Sequence, residues 1–323
     1  MKFRSFREFT QKVFLSKPVL SEILNIVGKK KKDTGHSLIH YGKRYPGTRN
    51  LDNSYLQDSV DGLQDYDSWK ARISSIILKS ENYVSLKFGD GDYYFLTKQE
   101  IGSAAPGKRA ISIPYHQLDM SPYLWGLENA DSVACESIRE NLSHLSSIYS
   151  RKVPDFPAEY LYISIANRWL TQKFGDRLGI IGASNKIELI EELLQHEIYR
   201  DFIGIHEPIE LIRIPQKFAC DDLQKTVEVI TNQIDPDKSK TYLMGVGHVK
   251  FGLVSSLKQF HNSQFLDIGS GVDALAGVID IRRPYFAEWT NFRFSDISRY
   301  SQVDLLQASD FGKCLFVPST KKY

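Results

Sequence analysis

Apolar residues follow two different rhythms along the chain. In residues 1 to 27, Phe3, Phe6, Phe9, Val13 and Phe14 recur at mostly helical spacing, followed by Val19, Ile23, Leu24 and Val27. One or two short amphipathic helices are expected there, closed by Gly28 and the lysines that follow it. Residues 28 to 65, rich in Gly, Asn, Asp and Tyr, hold no sustained period and read as an extended surface segment. From Ser68 the pattern becomes regular. It predicts a helix over 68–78, a strand over 82–88 (NYVSLKF), and a helix that begins with YYFL and ends in the Gly, Ala and Pro cluster at 102–107. A strand over 131–135, a helix over 136–147 and a longer helix over about 158–174 follow.

The second half repeats one unit. RLGIIGA (177–183), IELIRIP (209–215), KTYLMGVG (240–247) and SQFLDIG (263–269) are short, apolar and β-rich. The first three lead into helical patterns over 185–194, 220–233 and 249–259, and the last into a Gly-rich turn. This rhythm predicts an α/β fold, a Rossmann-like, mostly parallel sheet with helices on both faces. Residues 1–65 then form an N-terminal helical or irregular extension, and residues 66–323 the Rossmann-like domain with a C-terminal extension. Ligands of such sheets gather beyond the carboxyl ends of the strands. The positions to examine are therefore Asp90, Gly182 to Asn185, Pro215 to Lys217, Gly245 to His248 and Gly269 to Asp273.

Composition narrows the function classes. A hydrophobic fraction of 42% with 12% aromatics is enough for a sizeable core, so the chain is globular. Lys and Arg total 41 against 39 Asp and Glu, a net charge of +2 that supplies no field for a nucleic-acid partner. The run Lys29 to Lys32 is the local exception: it reads as a solvated loop, with contact to membrane phosphate or an anionic acceptor, or to nucleic acid, as alternatives. Cys135, Cys220 and Cys314 are far apart and form no CxxC, so neither a disulfide framework nor a sulfur-ligated zinc site is expected. No stretch reaches the roughly 18 apolar residues that span a bilayer. A soluble cytoplasmic protein is expected, with peripheral contact at the inner face of the membrane left open through the N-terminal helix. Oligomeric state is not legible.

The sharpest chemical signal is FGDGD (88–92). Asp90 and Asp92, one glycine apart at the mouth of a buried strand, are able to converge on a hard divalent cation or on sugar hydroxyls, and Gly89 and Gly91 let a phosphate or ring approach the backbone. Two like charges at this spacing repel unless compensated, although DGD also occurs in plain turns. GVGH (245–248) stands between strand and helix, where Gly245, Gly247, His248 and the following Lys250 suit a phosphate or diphosphate, or form a purely structural helix-packing turn. Lys250 stands where a full GxGxxG fingerprint has its last glycine, which argues against a dinucleotide. GASN (182–185) repeats the arrangement, with Gly182 and Ser184 near a nucleotide or with Ser184 or Asn185 capping a helix. In LDIGSGVDAL (266–275), Asp267 lies within the strand and Asp273 in the loop, as a site residue or a helix cap. Arg282 and Arg283 offer guanidinium forks suited to a diphosphate, or a solvated pair. The eight histidines form no HExxH, and neither GxSxG nor a P-loop is present.

Taken together, VSLKFGDGDYYFL, IELIRIPQKFACDDL, KTYLMGVGHVKFGLVSSL and QFLDIGSGVDAL resemble the bacterial glycosyltransferases of the GT-D fold, over roughly residues 70 to 290. The family pattern is an acid, any residue, then Glu after a strand, used with manganese and a nucleotide sugar. Asp90 matches the first acidic place and Asp92 the place of the Glu, one methylene shorter. The family's second Gly-rich stretch is commonly continued by His, where this chain has Ser270. The resemblance implies transfer of a sugar from a nucleotide diphosphate sugar, with a UDP sugar as the expected donor, to a glycan or lipid-linked glycan acceptor. Asp90 and Asp92 would hold Mn2+ or Mg2+ against the charge of the leaving diphosphate, helped by the turn at Gly245 to His248 and by Arg282 or Arg283. Asp273 and Glu288 are the candidates for a base toward the acceptor. Two other readings stand beside it: another metal-dependent phosphate-handling enzyme, and a non-catalytic nucleotide- or sugar-binding or interaction module, in which Asp90 or Asp92 would be turned away or salt-bridged in place.

Overall fold

The computed structural model describes residues 59–99, 111–136, 139–166, 168–238, 240–278 and 294. Residues 1–58 of the expected 1–65 extension and the segment holding Arg282, Arg283 and Glu288 lie outside the described residues. Seven strands form one sheet: β1 (Tyr83–Phe88), β2 (Ser132–Cys135), β3 (Phe156–Pro157), β4 (Leu178–Ala183), β5 (Glu210–Ile214), β6 (Thr241–Gly245) and β7 (Gln264–Asp267). Their order is β3-β2-β1-β7-β6-β4-β5, and every neighbouring pair is parallel. The Rossmann-like α/β architecture expected from the sequence is therefore present.

Side chains alternate across the sheet as a period of two requires. Val84, Leu86 and Phe88 of β1, Tyr242 and Met244 of β6 and Phe265 of β7 enter one apolar core. Leu178 and Ile180 of β4, Leu243 of β6 and Leu266 of β7 enter the core on the opposite face. The first core is covered by α2 (Asp90–Leu96), α3 (Ser121–Asn129), α4 (Arg139–Ile148), α9 (Leu223–Thr231) and α10 (Lys250–Leu257). The second is covered by α1 (Ser59–Leu78), α5 (Ala158–Ala166), α6 (Trp169–Phe174), α7 (Ser184–Leu193), α8 (Glu197–Ile203) and α11 (Gly271–Leu275). Burial on both faces explains why the central strands are continuously apolar.

Several elements depart from the sequence expectation. The helix expected from residue 68 begins at Ser59. The long helix over 158–174 is two helices, broken where Arg168 adopts a left-handed φ of 62°; its guanidinium lies 4.4 Å from the ring centroid of Phe202. Helix α2 starts at Asp90 itself rather than at Tyr93. Helices α3 and α8 and the two-residue β3 carry no pattern that announced them. In α3 this follows from exposed Leu124 and Trp125, which blur its apolar face.

The order of the strands fixes where a ligand would sit. Strands β1 and β7 are neighbours, but the helix after β1 packs on one face and the helix after β7 on the other. Such a divergence opens a crevice at the carboxyl edge, the topological switch point of an open α/β sheet. Strand β6 lies on the far side of β7, so the turns after β1, β6 and β7 meet there.

Candidate active site at the carboxyl edge

The FGDGD segment is a strand end followed immediately by a helix start. Gly89 is the N-cap of α2 in extended conformation, and its N–H donates to Asp92 Oδ2 at 2.9 Å. Asp92, in the third helical position, thus reaches back to the cap, the acidic half of a capping box. Asp90 Oδ1 accepts the N–H of Gly91 at 2.7 Å, and the residue is half-buried. The two carboxylates flank the first turn in different settings, Asp90 nearer solvent and Asp92 buried at 6% exposure.

Asp92 has partners from the turn after β6. Its Oδ1 lies 2.7 Å from His248 Nδ1, and its Oδ2 accepts from Lys250 Nζ at 3.0 Å. Lys250 is itself buried, and its ammonium also donates to the Lys87 carbonyl and pairs with Asp267 Oδ2 at 3.0 Å. All three ammonium hydrogens are thereby used within the protein. Asp267, at 1% exposure, further accepts the N–H of Lys87 and the N–H of Gly269, each at 3.0 Å. One lysine therefore ties together β1, β7 and the start of α10. Burial alone would raise the carboxyl of Asp92, but Lys250, His248 and Lys87 outweigh it and hold the group well below the usual carboxylate range.

A second charged group faces the same edge from the other side. Lys87, on the strand face opposite Phe88, pairs with Glu136 Oε1 at 3.2 Å, and Glu136 accepts from the hydroxyl of Tyr162 at 2.7 Å. The Lys87 stem runs past the two glycine turns, within 3.3 Å of where a Cβ on Gly269 would stand, and its ammonium lies within 3.3 Å of one on Gly89. Lys87 and Glu136 are not among the site residues expected from the sequence. Their signal was a lysine inside an otherwise apolar strand and an acid directly after the buried VAC of β2.

The remaining predicted residues divide. Gly245 and Gly182 serve close packing: a Cβ on Gly245 would lie 2.6 Å from Val272 Cβ and 2.9 Å from the Gly269 carbonyl, and one on Gly182 would lie 3.1 Å from Val272 Cγ1. Gly247 adopts a left-handed φ of 65° with open space around it, which favours glycine on conformational grounds. Neither Ser184 nor Asn185 caps α7. Ala183 is the N-cap, while the Ser184 hydroxyl donates to the Ile214 carbonyl at 2.8 Å and the Asn185 N–H to Gln216 Oε1. Asp273 is ion-paired with Lys186. Cys135 and Cys220 are buried free thiols; burial pushes both up, Cys220 to about 12.

The fold and this edge define a Rossmann-like α/β protein with a charged, internally bonded cluster at its topological switch point. Comparison with protein-family models, with curated proteins and with solved structures gives no match. Among the described residues, no group of three or more His, Cys, Asp or Glu side chains is arranged to hold a metal ion, and no helix is long and apolar enough to cross a membrane.

Proposed function

We propose that this chain transfers a sugar from a nucleotide diphosphate sugar, a UDP sugar in the first instance, to a hydroxyl of a glycan or lipid-linked acceptor, in the manner of the GT-D glycosyltransferases. One observation carries the reading. Three Gly-containing turns far apart in sequence, after β1, β6 and β7, meet at the crevice and are joined there by Asp92, His248, Lys250 and Asp267. An edge with open space at Gly247 and fixed charge around it is suited to a diphosphate and its attached sugar.

Two ways of holding a divalent cation are conceivable. Chelation by Asp90 and Asp92 together does not fit, because both oxygens of Asp92 are bonded to His248, Lys250 and the Gly89 N–H. A cation shared between Asp90 and the ligand's own phosphate oxygens is the arrangement we propose in its place, since hard cations such as Mg2+ are commonly held by one or two carboxylates plus phosphates. When bound, Mn2+ or Mg2+ would offset charge on the departing diphosphate. Lys250 and Asp267 then act by holding Asp92, and through it the cap of α2 that presents Asp90. Arg282 and Arg283 remain the proposed diphosphate ligands of the C-terminal segment, and Lys87 joins them from the strand.

The internal neutralisation of Asp92 favours a second reading, a nucleotide- or sugar-binding module without turnover. Calorimetric titration with UDP, in manganese and in EDTA, for the wild type and Asp90→Asn, separates the two. Binding that needs the metal and weakens at least tenfold in the variant supports the transferase. Metal-independent binding without release of nucleoside diphosphate from nucleotide sugars supports the module, and silence toward UDP, GDP, CDP and dTDP refutes the transferase and the nucleotide-binding module alike.

A further inference from the structure

The Asp92–His248 contact carries more than charge compensation. The Asp92 carboxylate, held by Lys250 on one oxygen, is an acceptor only, so the His248 Nδ1 facing its other oxygen at 2.7 Å must carry the proton. The imidazole is clamped from one side by Phe95, stacked at 4.9 Å between centroids with planes 9° apart. Its edge lies beside the first turn of α2, where a Cβ on Gly91 would come 3.2 Å from Cε1 and 3.8 Å from Nε2. The ring is about one-fifth exposed, and Nε2 has no hydrogen-bond partner among the described residues. A histidine oriented through Nδ1 by a buried carboxylate, fixed by a ring stack and open at Nε2, has the construction of a general base with its orienting acid. Its ring lies beside Gly91, the neighbour of Asp90 in sequence, at the edge proposed for the donor.

Resting on the transferase reading, we infer that His248 is the catalytic base of this chain and that Asp92 is its positioning residue. The step is a single displacement. The attacking hydroxyl oxygen forms a bond to the anomeric carbon as its proton passes to His248 Nε2; the bond from that carbon to the diphosphate oxygen breaks, and its electron pair leaves with the diphosphate. The configuration inverts. Asp273, singled out for this role by the sequence, is paired with Lys186, whereas His248 has its nitrogen in place. Water serves as acceptor when no sugar is present, so the step is measurable as hydrolysis of the donor.

The test uses the full chain with UDP-glucose and UDP-galactose, reading released UDP. His248→Ala is expected to lower turnover by about 10²- to 10⁴-fold, and added imidazole is expected to restore turnover at least tenfold. Asp92→Asn is expected to lower turnover without imidazole rescue. Wild-type turnover that persists in His248→Ala overturns the assignment and leaves the transferase reading standing. A wild type that binds no nucleotide overturns both. Should His248→Ala fail to fold, nitrogen NMR of histidine-labelled wild type decides: a neutral imidazole with its proton on Nδ1 is the expected tautomer, and one with its proton on Nε2 overturns the inference.

Discussion

Lys250→Met is the substitution that most directly tests the charged cluster. Methionine keeps the length and apolar stem of lysine but removes an ammonium that meets Asp92, Asp267 and the Lys87 carbonyl. Two carboxylates at 6% and 1% exposure then lose the cation they share. Breaking a buried ion pair by removing one partner costs about 3–5 kcal/mol, because the remaining charge is left uncompensated. Against a typical total stability of about 5–15 kcal/mol, that is a large share. Urea denaturation of wild type and variant at neutral pH, followed by tryptophan fluorescence and circular dichroism, measures the difference. Adding Asp92→Asn and Asp267→Asn to Lys250→Met is expected to recover more than half of the loss, since asparagine removes the charge but keeps an acceptor for the backbone N–H groups. The penalty should also shrink as the pH falls toward the ordinary carboxylate value of 3.8, because burial then raises the orphaned acid and protonation discharges it. A loss below about 1 kcal/mol, the value of an exposed pair, would refute the account of Lys250 as the compensating charge.

Two further expectations follow from the packing and from the titration of Asp92. Gly126→Ala places a Cβ 1.8 Å from the Phe251 carbonyl where α3 crosses α10, so a stability loss of about 1–3 kcal/mol or more is expected in thermal or urea melts; an unchanged midpoint would mean that the two helices separate freely. In the wild type, the lowered folded value of Asp92 means that the native state binds fewer protons than the unfolded chain below the ordinary 3.8. Its contribution is thus complete above that pH and is lost as pH falls through the folded value. Urea midpoints across this acid range should fall more steeply for the wild type than for Asp92→Asn, and parallel slopes would contradict the assignment.

The sheet was legible because four of its strands are short apolar runs followed by turn and helix signals, a pattern that burial on both faces imposes. FGDGD was legible as a site for the same reason: two acids and two glycines interrupt such a run at its carboxyl end. What those acids touch was not. Asp92 meets Lys250 across 158 positions of sequence and Asp267 meets the Lys87 N–H across 180, and no local period records contacts of that span. Lys250 entered the sequence reading mainly as the residue that spoils a dinucleotide fingerprint, yet in the fold it organises the edge. His248 was noticed for the glycines before it, while the features that make it a candidate base, Asp92 and Phe95, belong to another turn. Helix α3 was lost for a simpler reason, since Leu124 and Trp125 point outward.

An apolar cluster would ordinarily be the cheaper way to fill the end of a sheet, since well-packed hydrophobic residues often match or exceed a buried ion pair in stability. At this edge the backbone makes that exchange unfavourable. The Lys87 N–H and carbonyl, the Gly89 N–H and the Gly269 N–H all lie where the helices after β1 and β7 diverge, and each finds its partner in Asp92, Asp267 or Lys250. Leucine at the acidic positions and methionine at the lysine would remove the partners of one buried and three part-buried main-chain groups, at up to about 1–3 kcal/mol for a fully buried one. The charges are thus demanded by the same divergence of helices that opens the crevice. The geometry that makes room for a ligand also requires polar side chains there, and once Asp92 is held for the sake of the backbone, one of its oxygens is left in position to orient a histidine.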